Sequence, residues 1–200
     1  MWDERYDRED YLFGTEPSGF LQREAMRLNG GDRALCVADG EGRNSVFLAA
    51  RGLKVTAFDS SGVALAKAER LAEARAVDVD FRHAGVEEWS WAPAAYDAVV
   101  AIFIQFAGPD LRARIFEGMD RTLKVGGHLL IHGYAPRQVD YGTGGPPSRE
   151  NMYDLMMLRE AFPNYRVLHA DDYDATIEEG DGHAGLSGLI DFVAVKLEER

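Results

Sequence analysis

Two glycines and a carboxylate early in the chain have the types and spacing that a nucleotide-like ligand requires. The segment Ala34-Leu-Cys-Val-Ala-Asp-Gly-Glu-Gly-Arg-Asn44 runs from an apolar strand pattern through Gly40 and Gly42 into a helical pattern. Glycines let the backbone approach a ligand closely, and the free N–H groups at a helix start favour an anionic or polar group. The alternative is a tight turn that needs glycine for its geometry alone.

Asp59 strengthens the ligand hypothesis. It follows a second strand pattern, Lys54–Phe58, and lies 19 residues beyond Gly40. An acid at this place in a strand–helix–strand unit can accept hydrogen bonds from both hydroxyls of a ribose. The turn and the acid together therefore predict a ligand of the adenosine type. The alternative is that Asp59 caps the following helix, which Ser60 or Ser61 would do equally well.

Two histidines are candidates for a catalytic base. His132 falls near the carboxyl end of a predicted fifth strand, and His183 lies in a predicted turn between the last two strands. An unperturbed imidazole titrates near neutral pH, which suits proton transfer. The alternatives are a hydrogen-bonded rim histidine and a histidine in a solvated turn. The five histidines show no paired spacing and Cys36 is the single cysteine, so no metal site is predicted.

The elements that must position these residues alternate along the chain. Strand patterns cover residues 34–37, 54–58, 77–82, 98–104 and 128–134, and helical patterns cover 18–28, 46–50, 63–76 and 110–123. This alternation predicts an α/β fold, a Rossmann-like and mostly parallel sheet with helices on both faces and ligands at the carboxyl ends of its strands. A turn at 124–127 and a helix at 150–161 are also expected.

The last quarter of the chain departs from this alternation. Strand patterns at 165–177 and 186–197 have no helical pattern between them. Two such strands form an antiparallel C-terminal hairpin, because a parallel pair would need a longer crossover. The predicted sheet therefore has seven strands in a single domain of residues 1–200. Residues 1–30 form an N-terminal flap and helix, and residues 31–200 form the α/β core.

Composition excludes several classes of partner. The 200 residues carry a formal net charge of −12 and contain no basic run. Nucleic acid binding depends on Lys and Arg at phosphates, so neither nucleic acid nor an anionic membrane is expected. No apolar run reaches the length of a membrane span, and the first residues do not resemble a signal peptide. The expectation is a cytoplasmic protein acting on a small molecule, with its oligomeric state left open.

Four features in this order make the chain similar to the class I S-adenosylmethionine-dependent methyltransferases. The turn Ala38-Asp-Gly-Glu-Gly42 matches their cofactor loop, and Asp59 matches their ribose-binding acid. The segment 123–130 resembles their Leu-Lys-Pro-Gly-Gly-x-Leu turn, with Val125 in place of proline, and the terminal hairpin matches their reversed last strand. The resemblance covers nearly the whole chain and implies S-adenosyl-L-methionine as cofactor.

A narrower resemblance concerns the small bacterial branch related to tellurite-resistance and thiopurine methyltransferases. It rests on Gly-Glu-Gly-Arg-Asn44, on the opening Trp2 followed by Tyr11-Leu-Phe-Gly-Thr-Glu-Pro17, and on Tyr141-Gly-Thr-Gly-Gly-Pro146. This branch implies a small and soft nucleophile containing sulfur, selenium or tellurium. Two positions depart from the family pattern: Cys36 replaces the usual acid, and Ala38 replaces the first glycine. Asp39 is a hypothetical source of the missing carboxylate.

The resemblance implies a role for each candidate site residue. The cofactor's ribose is expected on Asp59, and its amino-acid part over the loop that contains Ala38, Asp39, Gly40 and Gly42. Its adenine is expected near Ser60, Gly85 and Val86, and its methyl group near Phe103, Gln105, His132 and Tyr134. Tyr11 and Phe13 would close over the site, and Tyr141 would line a substrate pocket.

Two other functions fit parts of the pattern. Gly40-x-Gly42 with Ser45 in the third position is close to the fingerprint of a nicotinamide-dependent oxidoreductase. The segment 124–127 and the closing hairpin disfavour that function. A catalytically inactive, cofactor-binding sensor of the same fold is the second alternative, since Cys36, Ala38 and the absence of an obvious base are all compatible with it.

Overall fold

A single seven-stranded sheet organises the computed structural model, which describes residues 2–198. Its strands are β1 (Arg33–Val37), β2 (Lys54–Asp59), β3 (Asp80–His83), β4 (Tyr96–Ile102), β5 (Leu123–Tyr134), β6 (Tyr165–Glu178) and β7 (Ala184–Lys196). Their order is β3-β2-β1-β4-β5-β7-β6. The first five strands are parallel, and β7 runs antiparallel to both β5 and β6. The predicted Rossmann-like fold and its C-terminal hairpin are confirmed.

Seven α-helices accompany the sheet. They are α1 (Trp2–Tyr6), α2 (Gly19–Glu24), α3 (Arg43–Ala50), α4 (Gly62–Ala74), α5 (Pro109–Thr122), α6 (Gln138–Tyr141) and α7 (Leu155–Ala161), within residues 2–198. Short 3₁₀ turns cover Ala25–Arg27 and Arg149–Asn151. None of these helices is both long and apolar enough to cross a lipid bilayer.

The apolar run of β4 lies at the centre of the core. Val99 and Ala101 pack into the hydrophobic cluster on one face of the sheet, and Ala98 and Val100 into the cluster on the other. Successive side chains of a strand point to opposite faces, so a strand covered on both faces must be apolar throughout. Burial of β4 on both faces explains why its sequence does not alternate.

Two local predictions were wrong. Residues 124–127 lie within the bounds of β5 rather than in a separate turn, but they bulge out of the pairing with β4, because the register passes from Tyr96 opposite Leu123 to Ala98 opposite His128. The helix predicted over 150–161 starts only at Leu155, where the Asp154 carboxylate accepts a hydrogen bond from the Met157 N–H. An N-terminal cap of this kind fixes the start of a helix more firmly than helix propensity does.

The first residues form a segment that we call the N-terminal strap, residues 2–14. It crosses α4 and reaches the turn between β6 and β7. The Lys67 ammonium of α4 donates to the Asp10 carbonyl at 2.6 Å, and the Gly182 N–H donates to the Leu12 carbonyl at 3.1 Å. The strap therefore joins the helical layer to the hairpin turn. Residues 1, 199 and 200 of the predicted domain lie outside the described residues.

Candidate cofactor and acceptor site

A cavity of about 540 Å³ lies at the carboxyl ends of β1, β2 and β4, beneath the N-terminal strap and the hairpin turn. Twelve of the residues predicted for the site line it: Phe13, Ala38, Asp39, Gly40, Asp59, Ser60, Gly85, Val86, Phe103, Gln105, Tyr134 and His183. Four predicted residues do not line it: Tyr11, Gly42, His132 and Tyr141. The cavity has the size of a small-molecule site.

Asp59 ends β2 at the wall of the cavity and is 7% exposed. Its two carboxylate oxygens accept hydrogen bonds from the Gly40 N–H at 2.9 Å and the Ser61 N–H at 2.8 Å. Burial raises the pKa of this carboxyl, and the backbone donors oppose that rise. Each carboxylate oxygen can accept a second hydrogen bond, so Asp59 is fixed in place and can still bind a diol.

The two glycines of the loop have different roles. A Cβ at Gly40 would lie 2.8 Å from the Tyr6 hydroxyl, so this glycine lets the strap approach the cavity wall. A Cβ at Gly42 would lie 2.6 Å from the Ala68 Cβ, on α4. Gly42 therefore permits α3 and α4 to pack closely, and the expectation that it belongs to the cofactor wall does not agree with its position.

Asp39 and Cys36 show how the loop departs from the family pattern. Cys36 is buried in the cluster on one face of the sheet and does not line the cavity. Asp39 does line it and accepts a long hydrogen bond, 3.4 Å, from the Ser45 N–H. Burial raises the pKa of Asp39 to about 7, and the nearby charge of Asp59 adds to this rise. Asp39 is thus a carboxyl group that a bound cation would stabilise.

Arg43 lines the same part of the cavity and is 6% exposed. Its Nη2 lies 2.8 Å from the Glu179 Oε2 in the hairpin turn, whereas its Nη1 has no hydrogen-bond partner among residues 2–198. A buried guanidinium nitrogen without a partner is costly unless a ligand supplies an acceptor. The arrangement suits a carboxylate in this part of the cavity.

The end of β3 supplies a further wall of small residues. Ser60, Ala84, Gly85 and Val86 line the cavity there. The Gly85 N–H donates to the Glu88 carboxylate at 3.2 Å, which holds the turn in place. Small side chains beside backbone N–H and carbonyl groups can accommodate a flat base.

His183 lies in an aromatic stack that joins three distant segments. Its ring centroid is 4.4 Å from that of Phe13, in the strap, and 4.1 Å from that of Phe103, after β4. The Tyr134 hydroxyl lies 2.6 Å from the His183 Nδ1. Burial lowers the pKa of His183 well below its usual range, and the charge of Arg43 contributes. His183 is therefore neutral at physiological pH.

Phe103 itself has φ +55°, a strained value for a residue with a side chain.

His132 lies behind this stack rather than in the cavity wall. It is 2% exposed, and its Nδ1 is 2.7 Å from the Asp191 Oδ1 on β7. Its ring stacks on Phe20 and meets Phe103 edge to face. Burial raises the pKa of Asp191, but the hydrogen bonds from His132 and Arg23 outweigh it and lower the pKa overall. His132 can reach the cavity only through Phe103.

Three remaining candidates have their polar groups engaged by the protein. The Tyr11 hydroxyl donates to the Lys67 carbonyl at 3.0 Å, on α4, and the Tyr141 hydroxyl donates to the Asp174 carboxylate at 3.0 Å. Neither tyrosine reaches the cavity. Gln105 does line the cavity, but both ends of its amide bind the Tyr134 backbone, at 2.8 and 2.6 Å. Its amide therefore holds the end of β5.

Sequence reasoning missed several residues of the cavity wall, above all Trp2, Arg5, Tyr6 and Arg43. Trp2 and Tyr6 are four residues apart, the spacing of one helix face, and their rings stack at 5.7 Å in α1. This spacing could have indicated that Trp2 and Tyr6 lie on the same side of a helix. Arg43 gave no comparable signal, because its partner Glu179 is 136 residues away in the sequence.

Residues 34–127 match the family model described as a methyltransferase domain. A curated relative, the tRNA (uracil(54)-C(5))-methyltransferase of Pyrococcus abyssi, is 34% identical over 97 residues, which is 44% of this chain and 24% of that protein. The chain thus spans about a quarter of the length of this relative. The family match includes the loop, Asp59 and strands β2 and β4.

Two solved structures share the fold along most of the chain. One comes from work on the conversion of a disulfide bond into a thioacetal group during echinomycin biosynthesis, with TM-score 0.76, 17% identity and coverage of 98% of this chain and 90% of that one. The other is TehB from Haemophilus influenzae, with TM-score 0.70, 19% identity and coverage of 87% and 60%. Neither the oxidoreductase nor the inactive sensor is favoured by these comparisons. The chain has the Rossmann-like fold of these structures, and its residues 34–127 are similar to the methyltransferase domain family.

Proposed function

We propose that this protein transfers the methyl group of S-adenosylmethionine to a small-molecule acceptor. The observation that carries the proposal is the pairing, in one cavity, of the fixed Asp59 carboxylate with the unpartnered Nη1 of Arg43. The first suits a ribose diol and the second suits the carboxylate of an amino acid. A ligand that has both groups is S-adenosylmethionine.

The remaining residues of this end of the cavity fit the same ligand. Asp39 supplies a negative charge near the loop, where the ammonium and sulfonium groups of the methionine part are positive. Ser60, Gly85 and Val86 provide the narrow wall for adenine. Tyr6 covers the loop from the strap, and burial raises the pKa of its hydroxyl, which keeps this group neutral.

Bound S-adenosylmethionine supplies a methyl group on a positively charged sulfur: the acceptor's lone pair forms the new bond to carbon, and the carbon–sulfur electron pair stays on the departing neutral thioether. The protein's task is alignment and exclusion of water. Phe103, Tyr134 and His183 border the part of the cavity that is left for the acceptor. Aromatic faces there favour positive charge. His132 positions Phe103 from behind, so His183 is the candidate that touches the acceptor.

The acceptor proposed here is small and has a soft nucleophilic atom, as the narrower resemblance implies. An RNA acceptor is disfavoured because acidic side chains line the cavity, among them Asp39, Glu41, Glu87 and Glu88. Phosphate groups would be repelled by these carboxylates rather than bound. The enclosed cavity beneath the strap also suits a small molecule better than a polymer.

Calorimetry with S-adenosylhomocysteine, and separately with NADH, tests the proposal. S-adenosylhomocysteine should bind and NADH should not. Asp59→Ala should weaken the binding at least tenfold, since the loss of charge-assisted hydrogen bonds costs about 1.5–3 kcal/mol. Asp78→Ala, at an exposed position, is the matched control and should bind like the wild type.

Two results would contradict the proposal. Tighter binding of NADH than of S-adenosylhomocysteine would favour the oxidoreductase, and unchanged affinity in folded Asp59→Ala would remove the ribose assignment. An acceptor panel of thiols, selenols and hydroxyl compounds with methyl-labelled cofactor then separates an enzyme from an inactive sensor. Transfer of label to any of them, lost in Asp59→Ala, is the expected result.

A further inference from the structure

We infer that the acceptor is an apolar organic molecule whose body has no negatively charged group, and that it accepts a hydrogen bond from His183. This inference rests on the proposed function and deepens it by naming the class of acceptor. It follows from what lines the acceptor end of the cavity, which we define as the part bordered by the chain after β4, the end of β5, the loop at 145–147 and the hairpin turn.

The acceptor end is separated from the cofactor end by the order of the strands. Asp59 and the loop at 38–42 follow β2 and β1, whereas the acceptor end follows β4 and β5. Its apolar lining consists of Phe103, Phe106, Leu111, Pro146 and Pro147. Such rings and aliphatic groups stabilise an apolar body and provide nothing for a hydrated ion.

Polar groups at the acceptor end are few and mostly engaged. Gln105, Tyr134 and His183 are the polar side chains there, among the described residues. The Gln105 amide is bound at both ends to the Tyr134 backbone. The Tyr134 hydroxyl is bound to the His183 Nδ1. The Nε2 of His183 is a ring nitrogen to which residues 2–198 give no hydrogen bond, so it can bind a ligand.

The hydrogen bond between Tyr134 and His183 determines what Nε2 offers. Burial raises the pKa of the Tyr134 hydroxyl, so it keeps its proton, and His183 is neutral. Within residues 2–198 the hydroxyl has no other acceptor at hydrogen-bond distance, so it donates to Nδ1. The ring hydrogen of His183 is then on Nε2. Phe13 and Phe103 cover the two faces of the ring, so its edge with Nε2–H is what faces the cavity.

The arginines that line the cavity do not supply an anion site at this end. Arg43 lies beside Glu179 and is assigned to the methionine carboxylate, and Arg5 is exposed with its guanidinium 4.7 Å from the Trp2 ring. Both charges lower the pKa of His183, which further disfavours the charged imidazole that an anion would need. An inorganic oxyanion or a carboxylate on the acceptor would therefore lose its hydration without gaining a cation.

Benzamide and benzoate test this inference because they have the same shape and differ in charge. Each is titrated by ligand-observed NMR into protein saturated with S-adenosylhomocysteine, with selenite as a third probe. Benzamide should bind at least about tenfold more tightly than benzoate, and selenite should not compete with it. Leu111→Arg should reverse the preference toward benzoate, whereas Leu111→Gln, of similar length and no charge, should keep it.

The inference is overturned if benzoate or selenite binds the wild type as tightly as benzamide, or if neither benzamide nor benzoate binds. A preference that Leu111→Arg fails to shift, in a variant with unchanged circular dichroism, also overturns it. If S-adenosylhomocysteine itself does not bind, the proposed function fails instead, and the two isosteres are compared on Arg43→Gln without cofactor, where the free guanidinium is gone and the same preference is expected.

Discussion

At the scale of one residue, Asp39 places a carboxyl group of raised pKa in the cavity wall. It lies where the family pattern has no acid, and within the described part of the chain no Lys or Arg pairs with it. Its side chain is partly buried in the cavity wall and lies near Asp59. The folded protein without ligand therefore keeps a destabilising negative charge at this position once Asp39 ionises.

The ionisation of Asp39 makes the free energy of unfolding depend on pH. The folded-state pKa of Asp39 is raised to about 7, whereas an unfolded aspartate titrates near about 3.9. Between these values the folded state binds a proton that the unfolded state does not, so this contribution to stability falls as pH rises. Asp39→Asn cannot ionise, so its stability relative to the wild type should rise between about pH 4 and about pH 8, by up to about 4 kcal/mol for a pKa difference of about 3 at about 1.4 kcal/mol per unit.

Urea unfolding of both proteins across this range measures the difference. Asp78→Asn, at an exposed position, is the control and should follow the wild type. A constant difference between Asp39→Asn and the wild type would show that Asp39 does not titrate in this window.

At the scale of elements, the contact between α3 and α4 sets the geometry of the loop. Gly42 starts α3 with φ +86°, and Ala68 of α4 fills the space that a side chain at Gly42 would need. This contact fixes the direction in which Arg43 leaves the loop. Helix packing, rather than ligand binding, therefore explains this glycine.

Gly42→Ala should destabilise the protein by about 1–3 kcal/mol more than Gly31→Ala, because it adds overpacking to backbone strain. Gly31 is a matched control, since it has φ +92° and no atom within 4 Å of an added Cβ. Both substitutions place a side chain on a left-handed backbone. Only Gly42→Ala also brings the new Cβ into collision with Ala68. Thermal unfolding measures both, and equal destabilisation would refute the packing explanation.

For the molecule as a whole, the N-terminal strap covers part of the cavity at the carboxyl ends of the strands. A buried ion pair, Lys67 with Glu41 at 2.7 Å, lies beneath it. The Lys67 ammonium also holds the Asp10 carbonyl, and the Glu41 carboxylate accepts from the Phe13 N–H at 3.3 Å. Both charges thus bind the backbone of the strap and depend on it for their remaining hydrogen bonds.

Removing one partner of this pair should be costly. Lys67→Met or Glu41→Gln alone should each destabilise the protein by about 3–5 kcal/mol. Lys67→Met leaves the Glu41 carboxylate buried without a cation, and Glu41→Gln leaves the Lys67 ammonium buried without an anion. The double variant should lose less than the sum of the two. Arg8→Ala, which removes an exposed strap contact to Asp181, is the control and should leave the unfolding temperature nearly unchanged. Additive losses in this double-mutant cycle would contradict the coupling.

The sequence by itself determined the succession of elements and the pairing of the glycine loop with Asp59. Strand and helix periodicity, capping residues and the lack of a crossover helix before β7 are local signals, and each depends on residues close together in the chain. They were enough for the sheet and the hairpin, and for the prediction that the glycine loop and Asp59 lie together, which the hydrogen bond from the Gly40 N–H to Asp59 bears out.

Only the tertiary structure decided which side chains face the cavity at its acceptor end. Tyr11 and Phe13 are two residues apart, yet Tyr11 binds α4 and Phe13 stacks on His183, 170 residues further along the chain. Arg43 likewise obtains its partner from the hairpin turn. Contacts between such distant residues depend on strand register and on the path of the strap, which no local pattern encodes.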